Sequence, residues 1–174
     1  SFFGTGLVAH VSVAHPTCAD LSAKLAKAAS ASSAKLHQGG TYLAMEGPQF
    51  STLAESRMYR NEWKADVIGM TNMPEAKLAR EAEMCYAPIA MITDYDSWHA
   101  DHGAVDITEI IKTLTGNAEN ARKTIAALPA LLGPERAPCP CGCDRALDHA
   151  IMTAPDKRDP DMVAKLDAIA GRVL

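Results

Sequence analysis

Apolar and polar positions fall into blocks along the chain, and the period changes from block to block. Leu7 to Val13 reads Leu-Val-Ala-His-Val-Ser-Val and closes at Pro16, which predicts a strand. From Ala19 to about Ala34 the chain turns rich in Ala, Lys and Leu, with Leu21 and Leu25 one helical turn apart, which predicts a helix ended by Gly39-Gly40. Thr41 to Glu46 predicts a short strand and Gly47-Pro48 a turn. Ser51 or Thr52 then caps a helix running to about Trp63, with Glu55 placed to close a capping box on Thr52.

Val67-Ile68-Gly69-Met70 predicts a buried strand, and Pro74 suits the first turn of a helix with Glu75 beside its N-terminal dipole. Cys85 to Ile92 is a further apolar run, ending in the polar cluster Thr93-Asp94-Tyr95-Asp96. The clearest helix follows. Asp106 caps it, Glu109 sits three residues later, and Ile107, Ile110, Ile111, Leu114, Ala118, Ala121, Ile125 and Leu128 keep to one face until Pro129 stops it. A Pro/Cys loop lies beyond Gly133, and a short helix starts near Asp161. Strands alternating with helices imply an α/β domain whose sheet is at least partly parallel. Ligands of such sheets collect where strands end in loops. Two strand ends here carry chemistry, Met70-Thr71-Asn72 and Thr93-Asp94-Tyr95-Asp96.

Composition narrows the choice of partner. Among 174 residues, 17 basic and 21 acidic side chains leave a net charge of -4, which argues against nucleic acid or an anionic membrane surface, since both reward a basic face. With 48% hydrophobic and 22% charged residues the chain has the profile of a globular domain. The apolar run Met84 to Thr93 falls well short of the roughly 20 residues that cross a bilayer, so no membrane partner is expected. The first residue is Ser1, not Met, and is followed by an aromatic pair with no basic segment, so the chain is expected to begin after processing or partway through a longer protein. Five cysteines in a chain of this length do not suggest a secreted disulfide scaffold, and a cytoplasmic setting is expected.

Three of those cysteines crowd into Cys139-Pro140-Cys141-Gly142-Cys143, while Cys18 and Cys85 lie far away among apolar neighbours. The crowding departs from the paired gaps of common zinc sites. Three thiolates plus His149 could hold a metal, and two could form a strained disulfide, but no second ligand pair lies nearby in sequence. Free or disulfide-bonded thiols without a metal are therefore expected. None of the six histidines forms a two-His zinc signature, which leaves His99 and His102 as surface residues.

Asp94 and Asp96, at i and i+2 after an apolar run, could point into one crevice, where a half-buried carboxyl acts as proton donor. A solvated loop that merely stops the run is the plainer reading. Phe50 brings a ring to a helix N-terminus or fills a core, and Thr71 and Asn72 are turn formers as readily as ligands.

The order of motifs adds more. Met45-Glu46-Gly47-Pro48-Gln49-Phe50-Ser51, Ala54-Glu55-Ser56, Ala65-Asp66-Val67-Ile68-Gly69-Met70-Thr71, Pro74-Glu75, Cys85-Tyr86, Ala90-Met91 and Thr93-Asp94-Tyr95-Asp96-Ser97-Trp98 follow one another in a way that resembles the purine nucleoside phosphorylase family, its methylthioadenosine-cleaving members in particular. The resemblance covers Phe2 to about Leu128. It implies a three-layer α/β/α domain around a mixed β-sheet, of which residues 1–174 form the C-terminal portion. It also implies phosphorolysis of a nucleoside, with phosphate as co-substrate and no other cofactor. By that resemblance Asp94 faces N7 and the exocyclic amine of the base as general acid, and Asp96 accepts from the amine or orients Asp94. Phe50 packs on the base, Ser51 and Thr93 line it, Met70 lies under the ribose, and Thr71 offers a hydroxyl to phosphate. Ile107, Ile110 and Ile111 wall the 5′ substituent. His10 is lent to a neighbouring subunit, which implies a homotrimer.

The family's glycine-containing phosphate loop, Arg-His pair and further Thr have no counterpart in these residues. The chain alone is thus expected to be inactive, with the N-terminal portion expected in a second chain, cleaved away or lost. Two other readings stand beside this one. A phosphorylase of 6-oxopurine nucleosides usually places Asn where Asp94 stands, and a non-catalytic fragment would act only as a binding or interaction module.

Overall fold

The computed structural model describes residues 1–99 and 107–174, with the side chains of Ile107 and Glu109 left aside. The expected cap at Asp106, its partner carboxyl at Glu109 and the surface placement of His102 lie outside what is described. The elements are α1 (Ala19–Ala29), β1 (Tyr42–Ala44), α2 (Leu53–Asn61), β2 (Val67–Gly69), α3 (Asn72–Glu81), α4 (Ile107–Ala127), α5 (Pro129–Leu132) and α6 (Pro160–Ala170). No helix of the described residues is long and apolar enough to cross a membrane.

Two compact units make up the chain. One comprises residues 24–72 and 89–133, and it holds a two-stranded parallel sheet in which Tyr42, Leu43 and Ala44 pair with Val67, Ile68 and Gly69. Parallel strands end on the same side, so the loops after Ala44 and after Gly69 emerge together. Met45 N–H continues the ladder to the Gly69 carbonyl at 2.9 Å. The predicted strand over the apolar run from Cys85 to Ile92 does not form among the described residues. That segment carries no ladder of backbone hydrogen bonds, and extended apolar chain becomes strand only when paired.

Helix α2 starts as its sequence dictates. Thr52 Oγ1 accepts from Glu55 N–H at 3.3 Å, and Glu55 Oε2 accepts from Thr52 N–H at 2.8 Å, which satisfies two orphan donors of the first turn. These bonds from the Thr52 backbone and hydroxyl hold the Glu55 carboxyl below its ordinary pKa. In α3, Met73 keeps extended angles (φ -117°, ψ 130°) because the following proline excludes the helical region, so the regular helix begins at Pro74.

Helix α4 departs from expectation in its orientation. Thr124 is buried and Thr113, Asn117 and Asn120 are half-buried, so a polar stripe faces the rest of its unit. Asn117 Nδ2 donates to the Ile92 carbonyl at 2.8 Å from that stripe. The predicted apolar stripe is only partly covered: Ile110, Ala118, Ala121 and Leu128 are half-buried, while Ile111, Leu114 and Ile125 are exposed.

The other unit comprises residues 1–23, 73–88 and 134–174. Its core gathers Leu147, Ala150 and Ala170, with Phe3, Ala9, Val11, Val173 and Leu174 packed against them. The strand predicted at Leu7 to Val13 reduces to an antiparallel bridge between Ala9 and Ile151, flanked by His10 N–H to the Ala150 carbonyl and Met152 N–H to the Val8 carbonyl, both 2.8 Å. Gly6 lies at φ +91°, and a Cβ there would come within 2.6 Å of Asp159 Cβ, the residue whose carboxylate caps α6.

Candidate active site

The parallel strands bring the Met45–Ser51 loop and the Met70–Thr71 corner to one edge of the sheet. Gly47 makes their approach possible. It sits at φ +75°, and a Cβ would lie 2.7 Å from Met70 Sδ, so only glycine lets the loop cross the methionine. Ser51 is buried, and its hydroxyl reaches Met45 Sδ at 3.7 Å. Its carbonyl accepts from Ser97 Oγ at 3.1 Å. That bond ties the Thr93–Ser97 loop to the Phe50-Ser51 corner, and Trp98 N–H adds a second tie by donating to Ser56 Oγ at 3.2 Å. Three loops distant in sequence thus meet at one strand end.

Within the acidic loop, Thr93 Oγ1 donates to Asp94 Oδ1 at 2.6 Å and Ser97 Oγ lies 3.3 Å from Asp96 Oδ1, so neighbouring hydroxyls orient both carboxyls. Asp96 is half-buried, as the sequence reading expects, but Asp94 is exposed. The half-burial expected of Asp94 is not met in this chain, because its hydroxyl partner Thr93 belongs to the same loop and leaves the carboxyl open to solvent. Phe50 is 85% exposed, which removes the reading of that ring as core in this chain. Thr71 is exposed, Met70, Thr93 and Ile110 are half-buried, and Ile111 is 57% exposed. Ile107 begins α4, as expected.

Aromatic packing that the sequence did not foretell stiffens the loop. Tyr95 stacks on His99 at 4.4 Å between centroids with planes 8° apart, and the Arg60 guanidinium sits 3.3 Å over the Trp98 ring. His10 belongs to the other unit. It is exposed there and lines an open groove with Ala9, Val11, Ser12, Val13, Lys77 and Glu81.

A second constellation lies in that same unit. The sulfurs of Cys18, Cys85, Cys139 and Cys143 all lie within 4.8 Å of one another. The sequence reading finds no second ligand pair for the Cys139–Cys143 loop. The structure brings Cys18 and Cys85, both distant in sequence, beside that loop from the start of α1 and from just beyond α3. Cys141 is exposed and stands outside the cluster, and so does His149. Burial works to raise the Cys139 thiol, but backbone N–H groups of Cys143 and Cys141 outweigh it and bring the pKa down to about 7. Burial and the neighbouring sulfurs push Cys143 up to about 11 and Cys85 further still.

Helices around a short parallel sheet, with the Phe50 corner and the acidic loop tied together beside its strand ends, make this an α/β fragment. Residues 2–129 match the model of the phosphorylase superfamily, and the chain belongs to that superfamily. Among its relatives, the S-methyl-5′-thioadenosine phosphorylase of Cereibacter sphaeroides is 70% identical over the whole chain, and that of Bradyrhizobium diazoefficiens 58%. The chain spans 60% of the length of each. A solved methylthioadenosine phosphorylase from an antarctic soil metagenomic library superposes with a TM-score of 0.87 at 43% identity, covering 97% of this chain and 58% of that one. A methylthioadenosine phosphorylase from Schistosoma mansoni in complex with adenine gives 0.68 at 27% identity, covering 81% of this chain and 55% of that one.

Proposed function

We propose that this chain supplies the base, ribose and methylthio part of a site that phosphorolyses 5′-methylthioadenosine to adenine and 5-methylthioribose 1-phosphate, a step of methionine and purine salvage in the cytoplasm. The carrying observation is the Ser97–Ser51 bond, which sets the Asp94 loop beside the Phe50 corner at a parallel strand end. As the glycosidic bond breaks, the purine gains negative charge and N7 seeks a proton. Asp94 donates it, while its other carboxyl oxygen accepts from the 6-amino group. Asp96 accepts from the amine or steadies Asp94. Phe50 lies on the base, Ser51 and Thr93 border it, Met70 underlies the ribose, Thr71 meets phosphate, and Ile107, Ile110 and Ile111 wall the methylthio group.

Phosphate is the co-substrate, and no other cofactor is invoked. A phosphate dianion calls for charged donors. In this reading they come from the part of the relatives that the chain does not match, within the single domain of which residues 1–174 are the C-terminal portion. The exposed His10 serves a neighbouring subunit's 5′ pocket in a homotrimer.

In this reading Asp94 also tells this substrate from a 6-oxopurine nucleoside. Facing a carbonyl at C6, the second Asp94 oxygen would meet another acceptor, a buried mismatch of about 1–3 kcal/mol. In the complete enzyme, Asp94→Asn is therefore expected to lower kcat/KM for methylthioadenosine and to raise relative activity on inosine. If the ratio of the two stays put, or moves toward adenosine-type substrates, Asp94 is not the selector.

A further inference from the structure

The four clustered thiols have no part in that chemistry. Three separated stretches of one unit deliver them, and hydrogen bonds hold each stretch in place. Cys18 N–H donates to the Tyr86 carbonyl at 2.7 Å, which fixes Cys18 beside Cys85. Gly142 turns the third stretch back on itself at φ +67°, with its N–H on the Cys139 carbonyl at 2.9 Å, so that Cys139 and Cys143 face the same point. Cys139 N–H is held by Asp144 Oδ1 at 3.2 Å. Behind Cys85, the buried Glu83 carboxylate accepts from Leu147 N–H at 2.9 Å and from Arg172 Nε and Nη2 at 2.9 and 2.6 Å. Arg136 Nη2 donates to the Glu83 carbonyl at 2.7 Å. The frame around the sulfurs is thus built independently of them.

The geometry fits an ion better than a covalent bond. Cys18 and Cys139 sulfurs are 3.7 Å apart. Sulfurs at the corners of a tetrahedron around zinc, each about 2.3 Å from the metal, are about 3.8 Å apart, whereas a disulfide requires about 2.05 Å. Cys18 and Cys143 are 1% and 3% exposed, so the centre is closed to solvent on those sides, as a structural site is and a catalytic one is not. Leu21 N–H approaches Cys18 Sγ at 3.5 Å, the backbone contact that steadies a metal-bound thiolate.

We propose that Cys18, Cys85, Cys139 and Cys143 form a tetrathiolate zinc site that pins the start of α1, the segment after α3 and the Cys139–Cys143 loop together. The zinc ion displaces the thiol protons, which pass to solvent, and four Zn–S bonds form with no change of oxidation state. Its role is structural. It cross-links residues far apart in the chain and leaves the Asp94 loop, in the other unit, chemically untouched.

The test measures metal in the intact protein, purified with reductant and without a metal-affinity tag. Elemental analysis is expected to give one zinc per chain, lost in Cys18→Ser and Cys139→Ser and kept in Cys141→Ser, whose sulfur lies outside the cluster. The wild type, stripped and reloaded with cobalt, is expected to show the thiolate charge-transfer and intense d–d bands of tetrahedral sulfur coordination, a readout that does not depend on the variants folding. Reduced protein that neither retains nor takes up zinc overturns the proposal. So does a native mass showing two disulfides, iron in place of zinc, or loss of metal in Cys141→Ser.

Discussion

The two units of the chain bury different things. The unit of residues 1–23, 73–88 and 134–174 closes over its special groups. Cys18 and Cys143 are almost inaccessible, and Glu83 is 8% exposed with its oxygens taken up by Arg172 and Leu147. The unit of residues 24–72 and 89–133 does the reverse. Phe50, Ile92 and Ile111 are 85%, 56% and 57% exposed, and Asp94 is exposed as well. A buried polar or metal-binding cluster must be satisfied by its own chain, or it costs stability. A substrate site has no such constraint, since ligand and further protein complete it. Burial thus separates the groups that hold this chain together from the groups that, in the proposed function, act on a nucleoside.

This contrast can be broken in order of expected effect. The largest should come from testing the chain without the rest of the proposed enzyme. Phosphate-dependent release of adenine from methylthioadenosine is expected to be at least about a hundredfold slower than with the remaining portion supplied in trans, because a preorganised charged donor alone carries about that much. Robust turnover by the verified lone chain would remove the division of labour argued above.

Phe50→Ala should come next, and it should separate function from folding. Loss of a ring stacked on a base costs about 1–3 kcal/mol of binding, or about fivefold to a hundredfold in kcat/KM. Because the ring is exposed, thermal stability should shift by less than about 0.5 kcal/mol. A large drop in Tm with unchanged kinetics would return Phe50 to a packing role.

Glu83→Gln should show the opposite profile. It weakens the receipt of the Leu147 N–H and the Arg172 guanidinium, and a buried donor left unsatisfied costs about 1–3 kcal/mol, visible by calorimetry. Substrate specificity should not change. If the ratio of activities on methylthioadenosine and inosine moves in this variant, the two regions are not separable in the way described.

Thr52→Ala should have the smallest effect, about 1 kcal/mol of helix stability from the lost N-cap. Its pH dependence has a definite sign. The Glu55 carboxyl in the same box is held below its ordinary pKa, so its contribution is present above the unfolded value and is lost as pH falls through the folded one. Hydrogen exchange at the start of α2 should therefore quicken on acidification in the wild type and keep most of that dependence in Thr52→Ala, because the larger contribution comes from the Thr52 backbone N–H that alanine retains.

What could be read from the sequence follows the range of the interactions. The α2 capping box and the start of α3 at Pro74 rest on neighbours within a few residues, and both form. Of the predicted strands, those at Thr41 to Glu46 and Val67 to Met70 form by pairing with each other, whereas Leu7 to Val13 keeps only a single bridge. The orientation of α4 was legible only in part. Periodicity shows that Ile111, Leu114 and Ile125 share a face, but not that Thr113, Asn117, Asn120 and Thr124 would be packed in this chain alongside Ile110, Ala121 and Leu128. The run from Cys85 to Ile92 is apolar enough for a strand and finds no ladder among the described residues. Spacing within the chain could not show the cysteine cluster, because its four sulfurs are gathered from stretches far apart in sequence. No local pattern joins Cys18 to Cys85 or to Cys139. In the acidic loop the residue types were legible, whereas the ring stack of Tyr95 on His99 and the Ser97–Ser51 tie arise only when the loops meet.

The most direct test of the base-binding assignment is a crystal structure of the complete enzyme with adenine bound. The account predicts N7 within about 2.6–3.2 Å of an Asp94 carboxyl oxygen, the 6-amino group on the other oxygen, and the purine ring against Phe50. Adenine held elsewhere, with the Asp94 loop still facing solvent, would contradict it.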